Sequence, residues 1–248
     1  MKFSRIAFAA ALVAAAACST AAYADEAEAK TPDLSVTIGG ALNDGNTEDE
    51  TASLAVDYTD VVGGCEYKLG ANGVITRTAG ENKDKETTAK NGEVTGKLLI
   101  PLEGRLSAYV DGSLFADEIA NVDYRAKIGP GLAYDLVKTE SLVFALELGI
   151  SPMWEKLDGE TDYYTLLRAA ERLEYTFAGG AKVWEMCEYL PALNDSEKYF
   201  VNSEIGIESP LNDTLSLRIV AKDRYDNCPA PDCEKNDLSI TAGIRIKL

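Results

Sequence analysis

From Asp237 to Leu248 the chain alternates without a break. Leu238, Ile240, Ala242, Ile244, Ile246 and Leu248 fall on one parity, and Asp237, Ser239, Thr241, Gly243, Arg245 and Lys247 on the other. A period of two is the period of the β pleat, which sends successive side chains to opposite faces. A segment this two-faced cannot lie inside a buried parallel sheet, because one of its faces must meet water. The same pattern recurs in Leu34-Val36-Ile38 against Ser35-Thr37-Gly39, and in Leu142-Phe144-Leu146-Leu148-Ile150 against Ser141, Glu147 and Ser151. Followed along the whole chain, it predicts strands at 33–43, 50–60, 65–77, 87–100, 105–115, 122–136, 141–155, 162–177, 181–189, 197–208, 214–225 and 237–248.

The connections between these strands alternate in character. One set is short, for example Val61-Val62-Gly63-Gly64 and Pro101-Leu102-Glu103-Gly104; the other is longer and more polar, running from Asn43-Asp49 and Thr78-Glu86 to Asp226-Asn236. An even number of strands with short turns at one end and longer loops at the other is the arrangement of an outer-membrane barrel. The expected fold is therefore all-β: a transmembrane antiparallel up-and-down β-barrel of about twelve strands, with short periplasmic turns and longer extracellular loops.

Alternation alone also fits a soluble sandwich or a lipocalin-like periplasmic barrel. Two features favour the membrane. The polar parity carries charge in mid-strand, with Glu93, Lys97, Asp111, Arg125, Lys127, Glu147, Arg168 and Arg218, which an apolar soluble core could not accept. The apolar parity ends in aromatic residues, with Tyr58, Tyr67, Tyr134, Tyr175 and Phe177 beside the short turns and Tyr124, Trp154, Tyr163, Tyr189 and Tyr199 beside the long loops. Such residues form the interfacial girdles of membrane barrels. Glu171 breaks the pattern: it falls on the lipid-facing parity, so either a bulge shifts the register or the face assignment fails there.

Residues 1–24 read as a signal peptide: Lys2 and Arg5, an apolar run from Ile6, then Ala22-Tyr23-Ala24 as the cleavage site. Acylation at Cys18 is the alternative. Residues 25–32 form a short N-terminal segment and 33–248 the barrel. No later segment reaches the roughly 18 apolar residues of a membrane-spanning helix.

Composition narrows the chemistry. With 41 Asp and Glu against 24 Lys and Arg, no basic face is available for nucleic acid. The absence of His removes the commonest general base and transition-metal ligand, so no residue is assigned as catalytic, cofactor-binding or metal-binding. Loop carboxylates such as Asp44, Glu48 and Asp49 suit divalent cations, but none has EF-hand spacing, and a solvated acidic rim explains them. Cys228 and Cys233 enclose a short loop and are the expected disulfide; Cys65 and Cys187 lie on distant strands, so that a bond between them would contradict the layout and free thiols in the wall are the alternative, their pairing being left open. Gly45-Asn46-Thr47 reads as a structural turn, and Gly129-Pro130-Gly131 as a bulge or bend in the wall. The lumen charges alternate in sign between neighbouring strands, which places Asp111 beside Arg125 or Lys127 and Glu147 beside Arg168 or Arg172.

Gly45-Asn46-Thr47, the stretch Tyr124-Arg125-Ala126-Lys127-Ile128-Gly129-Pro130-Gly131-Leu132-Ala133-Tyr134, Trp154-Glu155 and Asn236-Asp237, in that order, give a resemblance to the YdiY-like family. Its members carry domain of unknown function 481 and are described as salt-induced outer-membrane proteins. The resemblance implies location, fold and a link to salt or envelope stress, but no catalytic residues. Leu248 departs from the aromatic C-terminus usual in that family.

The expected function is a non-enzymatic barrel in the cell outer membrane, either structural or a narrow passive pore. Its partners would be outer-membrane lipid, the barrel-assembly machinery during biogenesis, and small solutes or divalent cations, with no cofactor. A lipid- or peptide-hydrolysing outer-membrane barrel and a soluble periplasmic ligand-binding barrel are the alternatives.

Overall fold

A computed structural model describes residues 32–43, 48–79 and 85–248. The expected signal peptide, Cys18 and Gly45-Asn46-Thr47 lie outside them. Twelve strands follow in chain order: β1 (Asp33–Asn43), β2 (Glu48–Val62), β3 (Cys65–Ala79), β4 (Lys85–Pro101), β5 (Leu106–Asp117), β6 (Val122–Lys138), β7 (Leu142–Leu157), β8 (Glu160–Thr176), β9 (Lys182–Pro191), β10 (Tyr199–Pro210), β11 (Leu215–Asp226) and β12 (Asn236–Lys247). Each strand pairs antiparallel with its sequence neighbours, and β1 pairs with β12, so the sheet closes into an up-and-down barrel. Every strand expected from the alternation is present, with ends within two residues of those expected.

The closing seam is the thinnest part of the wall. β1 and β12 share five register pairs, from Ser35↔Lys247 to Gly39↔Gly243, whereas β1 and β2 share eleven. Gly39 and Gly243 let the two backbones approach, since a Cβ on either would overlap the opposing strand. Ion pairs reinforce this seam from inside: Arg245 of β12 reaches Asp33 of β1 at 3.2 Å, and Arg218 of β11 reaches Asp57 of β2 at 2.9 Å.

Six strands, β2–β4 and β6–β8, are 15 to 17 residues long. A spanning strand needs only about 9–11. The surplus extends the wall into segments that the sequence marks as loops. The connection expected over 156–161 is a two-residue hairpin at Asp158-Gly159, both in the left-handed region (φ 48° and 82°), as a tight primed turn requires. The longer connections at that end are 192–198 and 227–235.

The apolar parity faces outward, with Ile38, Leu148, Ile205, Leu238 and Ile240 each more than half exposed. Aromatic rings stand at its two margins and touch: Tyr175 and Phe177 at the short-turn end (4.8 Å between centroids), Trp154 and Tyr163 at the other (5.6 Å). Glu171 lies on this outer face opposite Leu146 and Cys187, and the β7–β8 and β8–β9 registers run through it unshifted. The face assignment therefore holds at this position, and the carboxylate stands on an apolar surface.

Candidate functional site

The polar parity fills the barrel from within, and its arrangement depends on glycines. Gly131 of β6 and Gly149 of β7 sit side by side in register, and a Cβ on either would overlap the phenol of Tyr109. Their bare backbone is the seat on which the Tyr109 ring lies, 2% exposed. The register is the same at Lys127↔Met153 and Gly131↔Gly149. Of the bulge or bend expected at Gly129-Pro130-Gly131 no bulge is present, although the β6–β7 pairing is interrupted from Ile128 to Pro130, and the glycines allow close approach: a Cβ on Gly129 would strike the β7 backbone. On β10, Gly206 seats the indole of Trp184 in the same way.

Around Tyr109 the lumen charges form a central knot. Arg168, 4% exposed, donates from Nη1 to the Tyr109 hydroxyl (2.9 Å) and to Glu147 (2.7 Å), and from Nε to Glu188 (2.6 Å); Asp111 lies 3.3 Å from the same nitrogen. Lys97 reaches Glu147 from β4, three strands away, across the face of the Tyr109 ring. Lys127 and Asn202 complete the coordination of Glu188 at 2.6 and 2.9 Å. Lys97 and Arg168 also lie over the Tyr109 ring, at 4.6 and 5.3 Å from its centroid. Every charge in the knot is held by opposite charge, which buried ions require.

Of the expected pairings, Glu147 with Arg168 is formed, and Lys97 joins it. Asp111 makes its ion pair with Arg168, while Lys127 acts on it from beyond ion-pair distance. Parity in single strands shows which charges face inward, but partners are chosen by side-chain reach across the curved lumen.

A second knot closes one side of the lumen towards the long-loop end. Lys198, in the β9–β10 connection, is 2% exposed and meets Glu155 (3.2 Å), Asp226 (3.1 Å) and the Cys228 carbonyl (2.9 Å). Arg125 binds the same two carboxylates, reaching Asp226 at 2.7 Å. Below them Met153, Leu166, Leu190, Ala192 and Phe200 make an apolar core inside the barrel. Outside the apolar belt, Asp123 beside Lys156 holds its ammonium above the usual lysine range. Lys198, Glu188 and Tyr109 were not among the residues singled out in the sequence, and Glu155 entered only through Trp154-Glu155 in the family resemblance. Glu188 and Tyr109 share the polar parity of their strands, Tyr109 with Asp111, and that parity was the available signal.

The 227–235 connection spans the barrel mouth. Cys228 donates to the Glu197 carbonyl at 3.6 Å, while Cys233 approaches the Ile119 carbonyl at 3.9 Å, on the β5–β6 turn at the opposite rim. The two sulfurs bind separate rims, so the expected Cys228–Cys233 bridge is not formed; Cys65 and Cys187 are also free thiols. Among the described residues no three metal-ligating side chains come together.

The remaining lumen is open. A cavity of about 480 Å³ runs through the lumen; short side chains such as Thr37, Ser53, Asn72 and Thr241 line it on β1–β3 and β12, and charged groups line it on neighbouring strands, among them Asp57, Glu93, Arg218 and Lys222. A smaller cavity of about 170 Å³ lies towards the short turns. Both are lined by Lys68, Lys97, Arg168 and Met186, so these four side chains ring the level between them.

The family model described as a protein of unknown function, DUF481, matches residues 36–247, from within β1 to the end of β12. The chain belongs to the DUF481 family. Among solved structures, this DUF481 barrel is similar to the NanC porin, at 12% identity and a TM-score of 0.53, covering 86% of this chain and 100% of that one. It is also similar to the KdgM porin (8% identity, TM-score 0.47, 88% and 99% covered) and to the translocator domain of the autotransporter NalP from Neisseria meningitidis (11%, 0.45, 88% and 87%). At these identities the likeness shows the DUF481 fold alone. No curated protein matches the chain by sequence.

Proposed function

We propose that this barrel resides in the outer membrane and is a narrow passive pore for small solutes, without catalytic activity. The observation that carries the reading is a cavity of about 480 Å³ that the charge knots and the apolar core leave within the lumen, lined by residues of all twelve strands. A barrel of eight strands is filled by its side chains and one of sixteen leaves a wide channel, so twelve strands with charge knots and an apolar core inside leave a narrow path. The outward apolar belt with its ringed margins supports the membrane setting. A water-soluble protein rarely exposes a contiguous apolar patch beyond a few hundred Å².

Eight Lys and Arg line the larger cavity against six Asp and Glu. Selectivity by charge at that level is therefore weak, and width at the Lys68–Lys97–Arg168–Met186 ring limits passage. Purified barrel in planar bilayers should show small, uniform unit currents; silence at every voltage removes the pore and leaves a structural role. Outer-membrane fractionation with heat-modifiable migration on a denaturing gel tests the location, and recovery in osmotic-shock fluid would point to a soluble binding barrel instead. A link to salt or envelope stress rests on the family resemblance and is tested by protein level with and without added salt.

A further inference from the structure

Among the described residues, Arg172 has neither a carboxylate within ion-pair distance nor any hydrogen-bond partner, and its Nε is buried. The other lumen cations are matched: Lys68 by Glu66, Lys97 by Glu147, Lys127 by Glu188, Lys222 by Glu204, Arg224 by Glu93 and Arg218 by Asp57. Register explains the exception. Arg172 stands opposite Ala145 on β7 and Met186 on β9, neither of which can accept a hydrogen bond strongly. The carboxylates nearby are committed elsewhere, Glu147 to Arg168 (2.7 Å), Asp135 to Lys138 (2.8 Å) and Glu174 to Lys182 (3.6 Å).

A guanidinium nitrogen buried without a partner is costly, because Nε gives up hydration and gains nothing in return. Here Arg172 borders a cavity of about 170 Å³, also lined by Lys68 and Ser107 and by the carboxylates Glu66, Asp135, Glu147 and Glu171, the first three of which are held in ion pairs. At roughly 30 Å³ per water, that space holds about five or six waters, or a carboxylate with a few carbons. The planar fork of Arg matches a carboxylate bidentately, and one uncompensated positive charge calls for one negative charge.

We propose that the Arg172 cavity is a binding site for a small monocarboxylate. It lies just beyond the ring between the two cavities, so the bound solute occupies a waypoint on the path of the proposed pore. The site deepens that reading, but its occupancy does not depend on conduction.

The test uses the purified barrel in detergent, with sodium acetate, inorganic phosphate and sodium chloride as probes at matched ionic strength. Acetate should raise the heat-unfolding midpoint saturably, and chloride should not. Arg172→Gln should weaken the acetate response by at least about tenfold, the ratio expected when a charge-assisted pair is lost. Should that variant fail to fold, the guanidinium resonances of Arg172 in the ¹⁵N-labelled native protein should shift on adding acetate. No saturable response in the native barrel, an equal response in Arg172→Gln, or a response to phosphate with none to acetate overturns the assignment. Planar bilayers separate the two readings: acetate binding with no conductance removes the pore and keeps the site, whereas conductance without acetate binding removes the site and keeps the pore.

Discussion

Arg168 shows how much one lumen residue can organise. It is 4% exposed and serves Glu147, Glu188, Asp111 and the Tyr109 hydroxyl together. Replacing it by Met would leave three carboxylates without their shared cation, and breaking a buried pair from one side costs about 3–5 kcal/mol. Arg168→Met should therefore unfold at distinctly lower urea concentration than the native barrel, as followed by heat-modifiable migration. Unchanged unfolding would mean that water reaches the knot and screens it. Tyr109 depends on a different property of its neighbours, the missing side chains of Gly131 and Gly149. Gly149→Ala should displace the ring and cost about 1–3 kcal/mol, as overpacking does, with a change in unit conductance at the same time. The inward direction of Arg168 and Tyr109 was legible in the sequence, because each lies on the charged parity of its strand. Their partnership was not, since Tyr109 and Arg168 are 59 residues apart and meet only because the wall between them is made of glycine.

At the scale of elements, period-two alternation located all twelve strands, because a two-faced strand in a closed sheet repeats the same inside-outside choice at every residue. Loops were less legible. The segment 156–161 reads as a loop by its polarity, yet Asp158 and Gly159 alone make the turn and the flanking residues extend β7 and β8. Polar residues beyond the apolar belt suit a tall wall as well as a loop. The 227–235 connection was legible as a long loop, but its course across the mouth to the Ile119 carbonyl depends on the diameter of the barrel and the position of the opposite rim. If this connection narrows the entrance, replacing 228–233 by a short Gly-Ser linker should raise unit conductance while leaving heat-modifiable folding intact. Equal conductance would put the limiting width deeper, at the ring of Lys68, Lys97, Arg168 and Met186.

Over the whole molecule, the outer face is apolar and ringed by aromatic residues, and Glu171 stands within it beside Cys187. A charged group on the lipid side of a barrel is destabilising, by about 2–4 kcal/mol for a cation at mid-depth and less for a carboxylate. Glu171→Leu should therefore stabilise the barrel by about 1 kcal/mol in lipid vesicles, read as a shift of the urea midpoint. A loss of stability would place a partner other than lipid on that face. By itself the sequence determined twelve two-faced strands, which parity of each is apolar and which is charged, and that no histidine-based chemistry is available to the chain. These follow from composition and from a local period of two. Only the tertiary structure decided who pairs with whom inside, how much of the lumen the knots and the apolar core leave open, that Cys228 and Cys233 reach separate rims, and that Arg172 is left without an ion-pair partner. Those features arise from contacts across the lumen between residues tens to hundreds apart in the chain, and barrel curvature and the bare backbone at Gly131 and Gly149 govern them in ways that no single strand records.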